Sequence, residues 1–200
     1  MMRKLPLVLA PLLCLAIAAQ SAPAQTGEAG AFATEGAMLV HVESGTRFPD
    51  RIAGFERVGQ AAFDGSGDYV GVAYKRTLAD GTPISLRIAI VHIIGMTAKE
   101  HFIIAKPMAL NGLADVKVVS EGPYDRPGKG VDGYIGIFRA QQGDKRVGVG
   151  LWTVERGYWD VRGRVEFPYA KLKEARAAAD RFVEEFVKIG QPYKVPPNAE

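Results

Sequence analysis

Cysteine is nearly absent from this sequence. The single cysteine, Cys14, lies in an apolar stretch near the N-terminus, so the sequence after that stretch contains no thiol. Disulfide bonds, cysteine nucleophiles and cysteine metal sites are therefore excluded from any domain that follows. Such a domain does not need disulfides, because a chain of about 150 residues buries roughly two thirds of its unfolded surface.

An excess of charge of one sign is also absent. The sequence has 25 basic and 22 acidic residues, and removing Arg3 and Lys4 with the N-terminal segment leaves 23 against 22. A chain so close to neutrality predicts no concentrated basic face of the kind that nucleic acid requires. No nucleic-acid partner is therefore predicted.

The sequence lacks an apolar run long enough to cross a membrane. Residues 5–19 are almost wholly apolar, but a spanning helix needs about 20 residues. They follow the cationic pair Arg3-Lys4 and precede a small-residue triplet that ends at Ala24, which is the order of a secretory signal peptide. We expect residues 1–24 to be cleaved near Ala24, giving an exported, periplasmic protein without a transmembrane span. The bulky Leu13 before Cys14 disfavours lipoprotein processing.

The remaining residues predict one domain. Residues 25–36 mix glycine, alanine and polar residues without a period, which predicts a flexible lead-in. Residues 37–190 show one composition and no internal repeat, and they are predicted to form a single domain. Residues 191–200 contain three prolines and predict a frayed tail, because proline cannot extend a helix.

Alternation with a period of two dominates the domain and predicts strands. From Ile84 to Ile93 apolar side chains alternate with smaller or polar ones. Short turns rich in glycine and aspartate separate the runs, which favours hairpins and antiparallel pairing. Similar runs occur at residues 55–63, 69–76, 116–120, 131–140, 146–155 and 158–167.

Two segments have the helical period. Thr97 and Glu100 form a capping box that begins a helix, and Pro107 is expected to kink or end it. A second helix begins near Pro168 and ends at Gly190. Its predicted buried stripe is Leu172, Ala175, Ala179, Phe182, Val183 and Phe186, and its predicted water side is Lys171, Lys173, Glu174, Asp180, Glu184 and Glu185. The order of elements predicts an α+β domain, a mainly antiparallel sheet of six to seven strands with two amphipathic helices packed on it.

The last predicted hairpin has two unlike faces. If Arg156-Gly157 forms a two-residue turn, Val154 faces Trp159 and Trp152 faces Val161. One face then carries both tryptophans beside the glycines Gly148, Gly150 and Gly163. Large aromatic rings beside positions without side chains allow close approach of another element. We therefore expect the C-terminal helix to pack on this face.

The opposite face of the same hairpin carries Asp160, Arg162 and Arg164. Two arginines that point the same way could clamp an anionic ligand or the carboxylates of a partner. The same pattern is also typical of a solvated sheet face, on which cross-strand charge pairs contribute a few tenths of a kcal/mol each. Asp160, Arg162 and Arg164 are thus the candidate contact residues, with both interpretations open.

The three histidines do not form a recognisable reactive motif. His92 is expected to be hydrogen-bonded near a strand end, and His101 to lie on a surface or half-buried helix position. His41 and Glu43 could supply two metal ligands from one side of a strand, but no third ligand follows at a recognisable spacing. No metal is therefore predicted.

Two glycine-containing segments also lack the spacing of known reactive loops. The segment around Ser66 lacks the Gly-x-Ser-x-Gly spacing of a nucleophile elbow. The Gly128-Lys129-Gly130 segment lacks the Walker spacing of a phosphate-binding loop, so a hairpin loop is predicted there instead. No catalytic residue and no cofactor are predicted.

Three segments resemble those of uncharacterised exported bacterial proteins of about this length. They are FPDRIAGFER at residues 48–57, YVGVAY at 69–74 and WDVRGR at 159–164, the last leading into a helix. The element order is also similar to the PsbP-like α/β/α sandwich, over most of residues 48–189. This resemblance implies an architecture and no established activity, so no functional residue is carried over from it.

A well-patterned domain without a reactive motif favours a binding module over an enzyme. The leading prediction is a soluble exported binding or accessory module of the bacterial envelope, whose partner is an envelope protein or a small ligand. The alternatives are a periplasmic hydrolase that uses His92 or His101 beside an acid, and a carrier for a small apolar or anionic ligand held between sheet and helices. A carrier requires a pocket of at least about 300 Å³.

Overall fold

The structure is a computed structural model that describes residues 30–125 and 132–189. Several predicted segments lie outside these residues: the signal peptide over 1–24, the first part of the lead-in over 25–29, the loop at Gly128–Gly130, the helix stop at Gly190 and the tail over 191–200.

Two antiparallel sheets form the domain. The small sheet contains β1 (Phe32–Glu35), β2 (Met38–His41) and β3 (Arg47–Pro49). The large sheet contains β4 (Arg51–Ile52), β5 (Phe55–Ala62), β6 (Tyr69–Thr77), β7 (Pro83–His92), β8 (Ala114–Pro123), β9 (Gly133–Gln142), β10 (Lys145–Val154) and β11 (Trp159–Pro168). Its order is β4-β5-β6-β7-β11-β10-β9-β8. The chain therefore runs from the β4 edge inward to β7, restarts at the opposite edge with β8, and returns to the middle, where β11 pairs with β7.

The α+β class and the antiparallel sheet agree with the sequence prediction, whereas the strand count is corrected. All seven predicted runs are strands, β5 to β11. The large sheet gains β4, and β1 to β3 make a second sheet of three strands. These four strands are two to four residues long, too short to show an alternation. The strand β1 lies within residues 25–36, so the predicted lead-in ends before Phe32, where pairing with β2 orders the chain.

The helices are α1 (Ala98–Ala109) and α2 (Leu172–Ile189), the latter preceded by a 3-10 turn at Tyr169–Lys171. The capping box is present, with the Thr97 side chain accepting from the Glu100 amide and the Glu100 carboxylate accepting from the Thr97 amide at 2.9 Å. Pro107 does not end α1, which continues to Ala109. Pro107 cannot donate to the Ile103 carbonyl oxygen, but Ile103 lies on the exposed side of the helix, where water can replace the lost bond.

The two helices lie on opposite faces of the large sheet. Strand alternation sends Trp152 and Trp159 to the face covered by α2, and sends Val149 and Leu151 to the face covered by α1. The small sheet packs on the α2 side, where Phe48 meets Phe186 at a ring distance of 5.5 Å. The prediction that both tryptophans and the last helix share one interior is confirmed, since Trp152 is 1% exposed and Trp159 2%.

The register of the last hairpin differs from the predicted one by two residues. Val154 pairs with Val161, and Trp152 pairs with Gly163, because the turn is longer than two residues. A shift of two keeps every side chain on its predicted face, whereas a shift of one would have reversed the faces. The side chain of Trp152 lies over Gly150, where an added Cβ would be 2.6 Å from the ring.

The sequence prediction assigns one residue of α2, Asp180, to the wrong face of the helix. Asp180, predicted to face water, is buried at 4% exposure, and the Tyr124 hydroxyl lies 3.3 Å from its carboxylate. The apolar stripe of α2 is therefore wider than predicted, and it also includes Ala178 and Val187.

Candidate functional site

Helix α1 covers only part of its face of the sheet. Its buried side chains, among them Phe102 and Ala105, pack on Phe138, Val149 and Leu151 of β9 and β10. The prediction that the arginine side of the last hairpin lies outside is corrected here, because α1 buries its β10 half. The start of β11, with Asp160, also lies beneath α1, whereas the part of this face formed by β5, β6, β7 and the later residues of β11 is left without a helix above it.

This uncovered part is a groove of about 450 Å³ beside α1. Its floor is made of small residues on three neighbouring strands: Gly59 and Ala61 on β5, Gly71 and Ala73 on β6, and Ala89 on β7. Short side chains on adjacent strands lower the floor relative to α1, which gives the groove its depth. The volume falls within the range of small-molecule pockets, about 300–1,000 Å³.

Three arginines line one end of this groove. Arg162 and Arg164 come from β11, and Arg87 comes from β7. Arg87 and Arg164 are direct cross-strand partners, a position that brings Cα atoms within about 4.5–5.5 Å. Like charges directly opposite one another destabilise a sheet, so the arrangement is one that a bound anion would stabilise.

The guanidinium groups differ in the partners they already have. Arg164 donates to the Ala109 carbonyl oxygen and to Glu166, each at 2.9 Å. Arg162 donates to the Tyr69 hydroxyl and lies over its ring, 5.1 Å from the centroid. Arg87 is exposed and forms no ion pair within residues 30–125 and 132–189. No acidic side chain of the described chain lines the groove.

Apolar side chains also line the groove. The Phe63 and Tyr69 rings contact each other with centroids 4.5 Å apart, and Met108 of α1 is a further lining residue. Phe63 is 56% exposed and Met108 59%. A cationic end and an apolar side thus share one concave surface.

The structure separates the three candidate contact residues. Arg162 and Arg164 line the groove, whereas Asp160 is fully buried beneath α1, where its carboxylate contacts His101. Sequence analysis missed Arg87. The face of β7 on which Arg87 lies could be predicted, because Arg87 alternates with Leu86 and Ile88. The pairing of β7 with β11 is a long-range contact that no local pattern reveals.

His101 and Asp160 join α1 to the sheet. Their atoms Nδ1 and Oδ2 lie 2.9 Å apart, and His101 is buried rather than on the helix surface or half-buried. Nearby, Thr153 donates to the Ala98 carbonyl oxygen at 2.7 Å, and the Ala98 amide donates to Asp132 at 3.2 Å. These bonds fix the first turn of α1, and with it the wall of the groove.

Acidic groups accumulate around this end of α1. Burial raises the pKa of Glu155, and the carboxylates of Asp160 and Asp132 raise it further. The cluster lies at the opposite end of α1 from Arg164, which contacts the last residue of the helix. The groove therefore retains its positive character.

His92 lies at the end of β7, as predicted, but without the geometry of a catalytic base. Its ring stacks on Trp159 at 4.8 Å, and its Nδ1 lies 3.3 Å from the Asp68 carboxylate. Ser66 donates to the other oxygen of that carboxylate at 2.7 Å. The carboxylate thus lies between hydroxyl and imidazole, so the imidazole does not receive the hydroxyl proton as a hydrolase triad requires.

Both ring nitrogens of His41 form hydrogen bonds within the protein. Nδ1 lies 2.7 Å from the Ser44 hydroxyl oxygen, and Nε2 donates to the Gly67 carbonyl oxygen at 2.9 Å. Glu43 is exposed beside it. Among the described residues no three His, Cys, Asp or Glu side chains are grouped to hold a metal ion. His41 locks the turn after β2 onto the loop before β6.

We expect His41 to make the fold less stable in mild acid. Burial lowers its pKa below the ordinary value of 6.5, against the opposing effect of Gly67 and nearby carboxylates. Below pH 6.5 the unfolded chain therefore binds more protons than the folded one, and stability falls as the pH drops. Urea unfolding between pH 7 and 5 should show a flatter pH dependence for His41→Gln, and parallel profiles would contradict the assignment.

No helix within residues 30–125 and 132–189 has the length and apolar character needed to cross a membrane.

Comparison with known proteins identifies structural likenesses only. No protein-family model and no curated protein matches the sequence. A Pseudomonas aeruginosa protein of unknown function, PA94, matches at TM-score 0.48 and 11% identity, over 78% of this chain and 95% of that one. The Saccharomyces cerevisiae Ran-binding protein Mog1p matches at 0.41 and 15%, over 78% and 87%. Cyanobacterial PsbP (CyanoP) from Synechocystis sp. PCC 6803 matches at 0.37 and 12%, over 66% and 91%. At these identities and scores the likenesses concern the fold and carry no argument about function.

Proposed function

We propose that this chain is an exported binding protein of the bacterial envelope that holds a small anionic ligand in the groove beside α1. One observation carries the proposal: three guanidinium groups line a groove of about 450 Å³ that no acidic side chain lines within the described residues. This proposal joins the predicted accessory module to the predicted carrier, and it assigns the binding surface to Arg87, Arg162 and Arg164.

The arrangement suits an anion for electrostatic reasons. Arg162 and Arg164 are half-buried, so their charges act through a lower effective dielectric constant than that of water. Guanidinium groups bind carboxylates and phosphates through paired hydrogen bonds. Arg87, which has no carboxylate partner in the described chain, supplies the accessible donor group. A hydrolase is less well supported, because neither the His92 nor the His101 pair brings a hydroxyl to the imidazole.

Arg87→Gln is expected to weaken binding of a fluorescent aromatic sulfonate, 8-anilinonaphthalene-1-sulfonate, by about 10- to 100-fold. A hydrogen bond to a charged group contributes about 1.5–3 kcal/mol, and each 1.4 kcal/mol is tenfold in affinity. The measurement is a fluorescence titration of the protein expressed from the full sequence. Circular dichroism would confirm that the variant is folded.

Arg146→Gln is the matched control for this experiment. Arg146 is exposed on β10 and does not line the groove, so its replacement removes the same charge elsewhere on the same sheet. It should leave sulfonate affinity within about twofold, because the charge that it removes does not contact the bound probe. Equal weakening by both variants, or no weakening by Arg87→Gln, would contradict the groove as the site.

Export is tested by the mass of the secreted protein. When the full sequence is expressed in a bacterial host, the periplasmic fraction should contain a protein that begins at Gln25. Ala24→Leu, which puts a bulky side chain at the cleavage position, should leave most of the protein uncleaved. Recovery of an intact chain with Met1 from the cytoplasm would contradict the signal peptide.

A further inference from the structure

We propose that the ligand of this groove is a linear aliphatic carboxylate, with its head at Arg87 and Arg164 and its chain lying across the floor. This inference rests on the proposed function, and it specifies the class of anion. The strands align the lining residues from the arginine end to the outer edge of the sheet, and this alignment supports the proposal.

The strand registers place one row of small residues directly beside the arginine pair. Arg164 pairs with Arg87, Arg87 pairs with Ala73, and Ala73 pairs with Gly59. Neighbouring strands lie about 4.8 Å apart, so this row continues for about 10 Å from β7 to β5. The row has charge at one end and no side chain larger than a methyl group beyond it.

The space above this row is open, whereas the space above the neighbouring row is filled. A Cβ added at Gly59 would have no atom within 4 Å. In the next row, a Cβ added at Gly71 would lie 2.7 Å from the Phe63 ring. The Phe63 ring therefore fills the space above Gly71, beside the open row. The open row runs straight across the strands and carries no side chain larger than a methyl group, so an unbranched chain can lie along it.

A peptide ligand fits this floor less well than an aliphatic chain. The row crosses the strands on the face of the sheet, where the backbone of β6 is paired with β5 on one side and with β7 on the other. A peptide lying there would bring its own backbone groups against alanine, glycine and Phe63 without partners, which is costly. Methylene groups carry no such cost and gain from burial.

The head of the ligand is assigned to a carboxylate by the arginine pair. Arg87 of β7 and Arg164 of β11 are direct partners on neighbouring strands. A planar group between them can therefore accept hydrogen bonds from both guanidinium groups. Arg164 already donates to Glu166 and to Ala109, and Arg87 remains the accessible donor. A cationic amphiphile of the same length would be repelled by the two guanidinium groups at this end.

The test is a series of straight-chain carboxylates from six to twelve carbons, which displace 8-anilinonaphthalene-1-sulfonate from the full protein below their micelle concentrations. Affinity should rise about fourfold for each added methylene and then level off when the chain passes the β5 edge. Dodecylammonium should not displace the probe. A flat dependence on chain length would overturn the inference.

Gly59→Leu and Gly122→Leu form the matched pair of variants. Both glycines have open space at the Cβ position, but only Gly59 lies in the groove. Gly59→Leu should abolish the dependence on chain length and leave the affinity for hexanoate within about threefold, whereas Gly122→Leu should change neither. If both variants lost the dependence on chain length equally, the placement of the aliphatic chain over Gly59 would be overturned.

The two proposals fail in different ways. If the sulfonate does not bind, or binds without dependence on Arg87, then the anion groove itself is wrong. If it binds through Arg87 but carboxylates show no dependence on chain length, the anion groove stands and the aliphatic ligand is wrong.

Discussion

Trp152→Ala is expected to lower the free energy of unfolding by about 3–5 kcal/mol, the range for removal of a large aromatic side chain from a packed core. Trp152 is 1% exposed and lies at the centre of the interior shared by the large sheet and α2. Its ring occupies the space above Gly150, a residue that has no side chain of its own to fill the cavity. Urea unfolding followed by circular dichroism measures the change.

Two controls separate cavity formation from loss of strand preference. Val118→Ala, at a position 56% exposed on the edge strand β8, should cost less than about 0.5 kcal/mol. Trp152→Phe keeps an aromatic ring and removes an indole N–H that is buried without a partner in the described structure, so it should cost much less than alanine. A Trp152→Ala loss below 1 kcal/mol would show that the helix does not close the core there.

The strands and the two-faced hairpin could be predicted because their signals are local. Alternation identified β5 to β11, and the glycines beside Trp152 and Trp159 identified the face that receives α2. The predicted register was wrong by two residues, yet the faces were right, because side-chain direction depends only on whether the shift is odd or even. The short strands β1 to β4 carry no such signal, and their positions come from tertiary packing.

The groove could not be predicted because it depends on long-range pairing. The sequence indicated that Arg162 and Arg164 share a face, but not that β7 pairs with β11 and places Arg87 opposite Arg164. It also did not indicate that α1 covers β9 and β10 and stops short of β7. Asp160 shows the consequence: it has the same parity as the arginines, yet α1 buries it while they remain at the groove.

His101→Leu is expected to lower the free energy of unfolding by about 3 kcal/mol, because removing one partner of a buried hydrogen-bonded pair leaves the other unsatisfied. The side chains of His101 and Asp160 are 3% and 1% exposed and lie 2.9 Å apart. The other carboxylate oxygen of Asp160 has no hydrogen-bond partner in the described structure. Without His101 the carboxylate is therefore buried and unpaired.

The double variant His101→Leu/Asp160→Leu tests whether the loss comes from the carboxyl group that is left buried without a partner. Replacing both partners by apolar side chains is often neutral or stabilising, so the double variant should recover most of the loss and show a coupling energy well above 0.5 kcal/mol. Sulfonate affinity should follow the same order, because the pair fixes α1, and α1 supplies the groove with Met108 and with the Ala109 carbonyl that holds Arg164. The single variant Asp160→Leu completes the comparison. If the losses of unfolding free energy in the two single variants simply add in the double variant, the pair does not anchor α1, and apolar packing alone holds the groove wall.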